Sequence, residues 1–329
     1  MCRAAACSLV LQSRHRHHFP FQPPYPLMNF YVTISLTSFV AALTTAITWL
    51  TLRRITCSTK GAWSLAIGLG YTVGHVGYLS ASGIGPEAGL TAAMTDWLMH
   101  IPGNFTAVIW PTEVLNWLPI GVLLAGLVSV NSAAFPFDRS ITILGAALVS
   151  FWLGLQLIGG LSTMQGNWFT VGHGVRIAVG TVSMLLCWMS LQNSIQGKSR
   201  KVWIGCVAVL SISVVGVLAI TGNRTLVILG SVLLGAMAGG FGASLMRSAG
   251  TDNIRYSGAV ISCICISLLL VAWWSGISWY PIAFLIAGFL FVNSWLPAAI
   301  RGQRKRCSLA VGCSVASLIV AALVRYGVI

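Results

Sequence analysis

From residue 30 onward the chain alternates apolar runs with short polar or basic connectors, and the runs have the ~20-residue length that a helix needs to cross a ~30 Å hydrocarbon layer. Ten runs are read, at 30–52, 62–80, 114–131, 141–161, 174–192, 202–221, 225–245, 258–277, 280–298 and 308–328. In hydrocarbon each backbone N–H and C=O has to find its partner within its own segment, so such runs become helices; the alternating pattern of a barrel strand is absent. The fold class expected is all-α, a polytopic integral membrane protein of about ten transmembrane helices.

One stretch breaks the pattern. Residues 81–117 hold Glu87, Asp96 and Glu113, three of the five acidic residues in the chain. Within it Leu90, Met94, Trp97, Leu98 and Ile101 recur at helical spacing, with Thr91, Thr95 and Asp96 on the other side. This predicts an amphipathic helix lying in the membrane interface, ended by Pro102-Gly103. An outer interfacial loop and helix is therefore expected over 81–113. Thr112 or Asn116 can cap the third span, with Glu113 near its N-terminus, where the helix dipole favours an anion.

Composition enforces the membrane reading. Of 329 residues 57% are hydrophobic and 7% charged, against about 25% charged in soluble domains; the mean hydropathy is +0.86. The lipid bilayer is the partner implied. The net charge of +14 does not point to nucleic acid, because the basic residues sit in connectors and not on the face of a soluble domain.

Their distribution sets an orientation. Connectors after odd-numbered spans hold Arg53, Arg54 and Lys60; Arg139; Lys198, Arg200 and Lys201; Arg247 and Arg255; and Arg301, Arg304, Lys305 and Arg306. Those after even-numbered spans hold Arg224, with Arg176 just inside a helix. The positive-inside rule puts the odd-numbered connectors in the cytoplasm and the C-terminus outside, in a cell membrane. Trp97, Trp110, Trp117, Trp168, Trp273, Trp274 and Trp279 fall near the expected outer side, as interfacial indoles do. Residues 1–27, with Arg14-His15-Arg16-His17-His18 and a proline-rich segment, read as a disordered tail. A start at Met28 would spare Arg3, Arg14 and Arg16 from translocation, and residues 28–329 then form a single transmembrane domain.

The chemistry-bearing residues are few. None of the nine cysteines makes a CxxC pair, so neither a disulfide framework nor a metal site is expected. HExxH and GxSxG are absent, and no Asp or Glu lies in the middle of a span, which argues against catalysis. The second span carries Tyr71, His75 and Tyr78 on one stripe at i, i+4 and i+7, beside Gly70-x-x-x-Gly74. The fifth opens with Thr170-Val171-Gly172-His173, followed one turn later by Arg176. Polar side chains within a span usually face the protein interior. Gly235-x-x-x-Gly239, with Gly242 beyond, suits close helix packing. Asn104-Phe-Thr106 and Asn223-Arg-Thr225 are glycosylation sequons on outer connectors.

Three readings of these groups stand. His75, Tyr71, Tyr78, His173, Arg176 and Glu113 could bind a small polar or anionic solute near the outer mouth of a transporter-like permease. His75 and His173 could instead hold a haem in a redox component, although no cofactor is predicted. Alternatively, the polar groups fix helix packing in a structural or accessory subunit.

Overall fold

The computed structural model describes residues 30–55, 61–82, 90–111, 113–134, 139–164, 170–193, 200–245, 256–292 and 303–327. The N-terminal tail with Met28, Glu87, Thr112 and Trp168 lie outside the described residues. Among the described residues there are eleven α-helices, one 3-10 turn and no strand. In chain order they are α1 (Phe30–Ile55), α2 (Ala62–Ser82), α3 (Leu90–Ile109), the 3-10 turn (Val114–Asn116), α4 (Trp117–Ala134), α5 (Arg139–Met164), α6 (Val171–Asn193), α7 (Arg200–Thr221), α8 (Arg224–Leu245), α9 (Ser257–Trp274), α10 (Trp279–Phe291) and α11 (Gln303–Arg325).

Each expected span falls on one helix, and α3 is the additional element. Eight of the helices are long and apolar enough to cross a membrane. The other two expected spans are α2, which has 21 residues and is not among those eight, and α10, which has 13. The protein is thus an all-helical, multi-pass membrane protein.

The bundle has its apolar surface outside, as lipid requires. Phe39, Leu43, Ile47 and Leu50 form an exposed stripe on α1; Ile141, Leu144, Leu148, Phe151 and Leu155 do so on α5; Val175, Val179, Val182 and Leu186 do so on α6. Spacings of three and four place each set on a single helix face. In water such stripes would be a severe liability, and in a bilayer they are the lipid-facing surface. Hydroxyls within the helices fold back onto carbonyls one turn earlier: Thr37 donates to Thr33 O (2.7 Å), Thr45 to Ala41 O (2.8 Å) and Thr72 to Gly68 O (2.9 Å).

Residue pairings fix the relative helix directions. Gly70 lies against Thr45 and Gly74 against Thr37 and Ala41, so α1 and α2 are antiparallel. Gly235 meets Ser38 and Gly239 meets Ala42, so α1 and α8 are parallel. Gly121 against Leu153 and Gly145 against Val128 make α4 and α5 antiparallel; Ser317 bonding Pro281 O (2.8 Å), with Gly288 beside Ala310, does the same for α10 and α11. The starts of α1 and α8 and the ends of α2, α7, α9 and α11 accordingly share one end of the bundle, which also holds Trp97, Trp117, Trp273 and Trp274. Arg53, Arg54, Lys305 and Arg306 lie at the other.

Two local expectations change. The α3 helix does not stop at Pro102-Gly103 but runs through Pro102 to Ile109. Proline removes one donor and crowds the carbonyl four residues back, and here packing outweighs that cost. Trp97 is buried with Ala81 against Val32, Leu36, Val40 and Ile101, and its indole donates to Gly77 O at 2.8 Å. Leu98 is exposed, not part of the packed side. Four tryptophans outside the expected outer set, Trp49, Trp63, Trp188 and Trp203, are fully buried in the core, with Trp49 against Trp63 at 5.0 Å between ring centroids.

Candidate functional site

Helix α2 has two unlike faces one residue out of step. Gly70, Gly74 and Gly77 form the close-packing face: side chains added there would run into Thr45 and Ala41, Val232, and the Trp97 ring respectively. Because successive residues are about 100° apart on a helix, Tyr71, His75 and Tyr78 then project from the adjacent face. Their rings form a ladder, with His75 6.0 Å from Tyr71 and 6.2 Å from Tyr78 between centroids. All three are buried, Tyr71 and His75 completely.

Neighbouring helices supply the surroundings. The Tyr78 hydroxyl donates to Thr225 Oγ1 of α8 at 3.3 Å. His75 Nε2 lies 3.3 Å from Asn116 Oδ1 at the entry to α4. With that amide oxygen as acceptor, the neutral ring carries its proton on Nε2 and leaves Nδ1 a bare acceptor. Helix α9 is buried along nearly its whole length and runs through the centre of the bundle.

Two atoms of the ladder have no hydrogen-bond partner among the described residues: His75 Nδ1 and the Tyr71 hydroxyl. A buried polar atom left unpaired costs about 1–3 kcal/mol. Solitary hydroxyls of this kind also occur at Ser150, Thr181 and Ser267. What distinguishes α2 is that a lone acceptor and a lone hydroxyl lie one turn apart on the same face.

Asn116, expected as a helix cap, instead turns its buried side chain to His75. Glu113 occupies the N-cap position of the 3-10 turn, with φ −104° and ψ 148°, yet its side chain makes no capping bond and stands exposed. Its carbonyl accepts from the Asn116 N–H at 3.1 Å.

His173 and Arg176 belong to a different neighbourhood. The Thr170 N–H donates to His173 Nδ1 (3.1 Å), and the His173 N–H donates to Thr170 O (2.9 Å). The first bond is one arm of a capping box, with histidine in the position usually held by Glu or Gln, and the second is a backbone turn bond. The His173 ring lies 4.8 Å from Trp274, and the Arg176 guanidinium sits 5.4 Å from the Trp273 ring and 5.0 Å from that of Trp274. The structure therefore groups Tyr71, His75 and Tyr78 with Asn116 and Thr225, and groups His173 and Arg176 with two tryptophans. The two histidines have separate sets of partners, and the contacts found do not bring them together as the facing pair that a two-histidine haem site needs. Among the described residues no group of three or more His, Cys, Asp or Glu is placed to hold a metal ion.

The sequence alone does not single out Asn116 and Thr225 as site residues. Asn116 carries a signal, a lone amide at the mouth of an apolar run, but the same signal fits a helix cap equally well. No protein-family model matches the chain, and no curated protein or solved structure matches it either. What the fold and the site define together is a class: a multi-pass α-helical membrane protein with a buried polar ladder on a helix of the bundle core.

Proposed function

We propose that the protein is a permease of the cell membrane for a small, uncharged polar solute, recognised along the Tyr71–His75–Tyr78 ladder. The observation that carries this reading is the pair of unpartnered atoms, His75 Nδ1 and the Tyr71 hydroxyl, fully buried on one face of α2. An acceptor and a hydroxyl together suit a solute that both donates and accepts, such as an alcohol or an amide. An anionic solute has less support, since Arg176 is stacked on Trp273 and Trp274. The basic end is taken as cytoplasmic, so the Tyr78 end of the ladder is the outward one.

The test is stopped-flow light scattering on liposomes containing the full-length protein, challenged with glycerol, urea or acetamide. Solute entry faster than in protein-free liposomes for at least one probe is expected. Identical traces for all three would contradict the reading.

A further inference from the structure

Helices α7 and α11 run side by side in the same direction and touch at three levels. Near the tryptophan end the Arg325 guanidinium donates to the Ile220 carbonyl; midway Gly216 packs against Leu318. Near the basic end the Cys206 thiol donates to Cys307 Sγ, with the two sulfurs 2.8 Å apart.

We infer that Cys206 and Cys307 form a reversible disulfide site, closed by a peroxide or by a small-molecule disulfide and opened by thiol reductants. The two sulfurs belong to different helices and already face each other. A disulfide needs about 2.0 Å, so a shift of less than an ångström closes the bond. The other pair within reach by sequence, Cys263 and Cys265, is fully buried and two residues apart on one helix, where side chains diverge. Cys307, by contrast, is only partly buried. Counting 1.5 Å per residue from the helix starts at Arg200 and Gln303 places Cys206 about 9 Å and Cys307 about 6 Å from the basic ends of α7 and α11. A water-soluble oxidant can reach that depth, whereas the bundle centre is screened.

The chemistry balances. With hydrogen peroxide, the Cys307 thiolate attacks one peroxide oxygen, giving a sulfenic acid and releasing hydroxide, which takes up the thiol proton to become water. The Cys206 sulfur then attacks the sulfenic sulfur, forming the Sγ–Sγ bond and releasing a second water. Two electrons pass from the sulfurs to the peroxide. With a small-molecule disulfide, a mixed disulfide forms first and two small thiols leave in turn. The bond would pin the basic end of α11 to α7, adding to the Arg325 clip at the opposite end.

The experiment uses full-length protein in liposomes, treated with hydrogen peroxide or with oxidised glutathione, then alkylated, digested and analysed by mass spectrometry. A linked Cys206–Cys307 peptide lighter by two hydrogen atoms is expected. It should disappear after dithiothreitol, be absent from Cys206→Ser and Cys307→Ser, and persist in Cys187→Ser. Oxidised wild-type protein in which both residues remain alkylated would overturn the inference, as would oxygen added to Cys307 with no link. The wild-type measurement decides the matter even where a serine variant folds poorly.

Discussion

Replacing Gly239 by alanine puts one methyl group between α1 and α8, where there is no room for it. The new Cβ would sit inside van der Waals distance of the Ala42 carbonyl and Cα, which are backbone atoms and cannot rotate away. Relief requires the two helices to part. A gap of about 0.5–1 Å forfeits a quarter to a half of the dispersion attraction of each atom pair, and helix association in lipid depends largely on such packing. Overpacking of this kind costs about 1–3 kcal/mol. Gly242, one turn on in the same helix, has nothing within 4 Å of the equivalent position. Gly242→Ala should therefore be neutral or slightly stabilising, since alanine is the better helix former. Gly235 meets Ser38 in the same way, and once the helices have parted for one methyl the second costs less, so the double variant should fall short of the sum. The assay is the thermal unfolding midpoint of detergent-solubilised protein, followed by size-exclusion fluorescence. A fall of several degrees for Gly239→Ala, with Gly242→Ala unchanged or raised, is expected. Equal midpoints for the two variants would refute the close approach of α1 and α8.

Three further outcomes follow from individual side chains. Arg176→Ala should lower stability by about 0.5–1 kcal/mol for each indole ring that the guanidinium no longer covers and leave solute flux unchanged; a loss of flux at full expression would return Arg176 to the site. Asn223 accepts the Leu226 N–H through Oδ1 at 3.1 Å at the start of α8, so Asn223→Ala should cost about 1 kcal/mol through removal of an N-cap, read from the same melting assay. Tyr71→Phe removes an unpartnered buried hydroxyl and should melt no lower than wild type, because it removes a desolvation cost of about 1–3 kcal/mol; a clear drop in the midpoint would mean that the hydroxyl has a structural partner.

The positions of the helices are legible in the sequence because hydrocarbon leaves the backbone one option per apolar run, and length then marks each span. The end of α3 is not: Pro102 is a strong local stop signal, but the seat of Trp97 against α1 and α2 is made by residues distant in the chain and cannot be seen in the local pattern. Spacing on α2 puts Tyr71, His75 and Tyr78 on one stripe, since i, i+4 and i+7 is a property of the helix alone. Their partners come from other helices, and nothing in the neighbourhood of Asn116 or Thr225 specifies which helix each will face. The same limit applies to His173 and Arg176. Their polarity marks them, while the rings that engage them, Trp273 and Trp274, lie far along the chain on another helix. Cys206 and Cys307 are 101 residues apart, and their meeting follows from the parallel packing of α7 and α11.

The central claim is that a solute is recognised on the buried face of α2. Its most direct measurement is the glycerol, urea and acetamide permeability of liposomes containing wild type, Tyr71→Phe, His75→Leu or Arg176→Ala at matched protein density. The account predicts that at least one probe enters through wild type and Arg176→Ala alike and is slowed about tenfold or more by Tyr71→Phe or His75→Leu, the effect of losing one good hydrogen bond to a buried solute. Wild-type rates in both ladder variants, with the loss confined to Arg176→Ala, would contradict it.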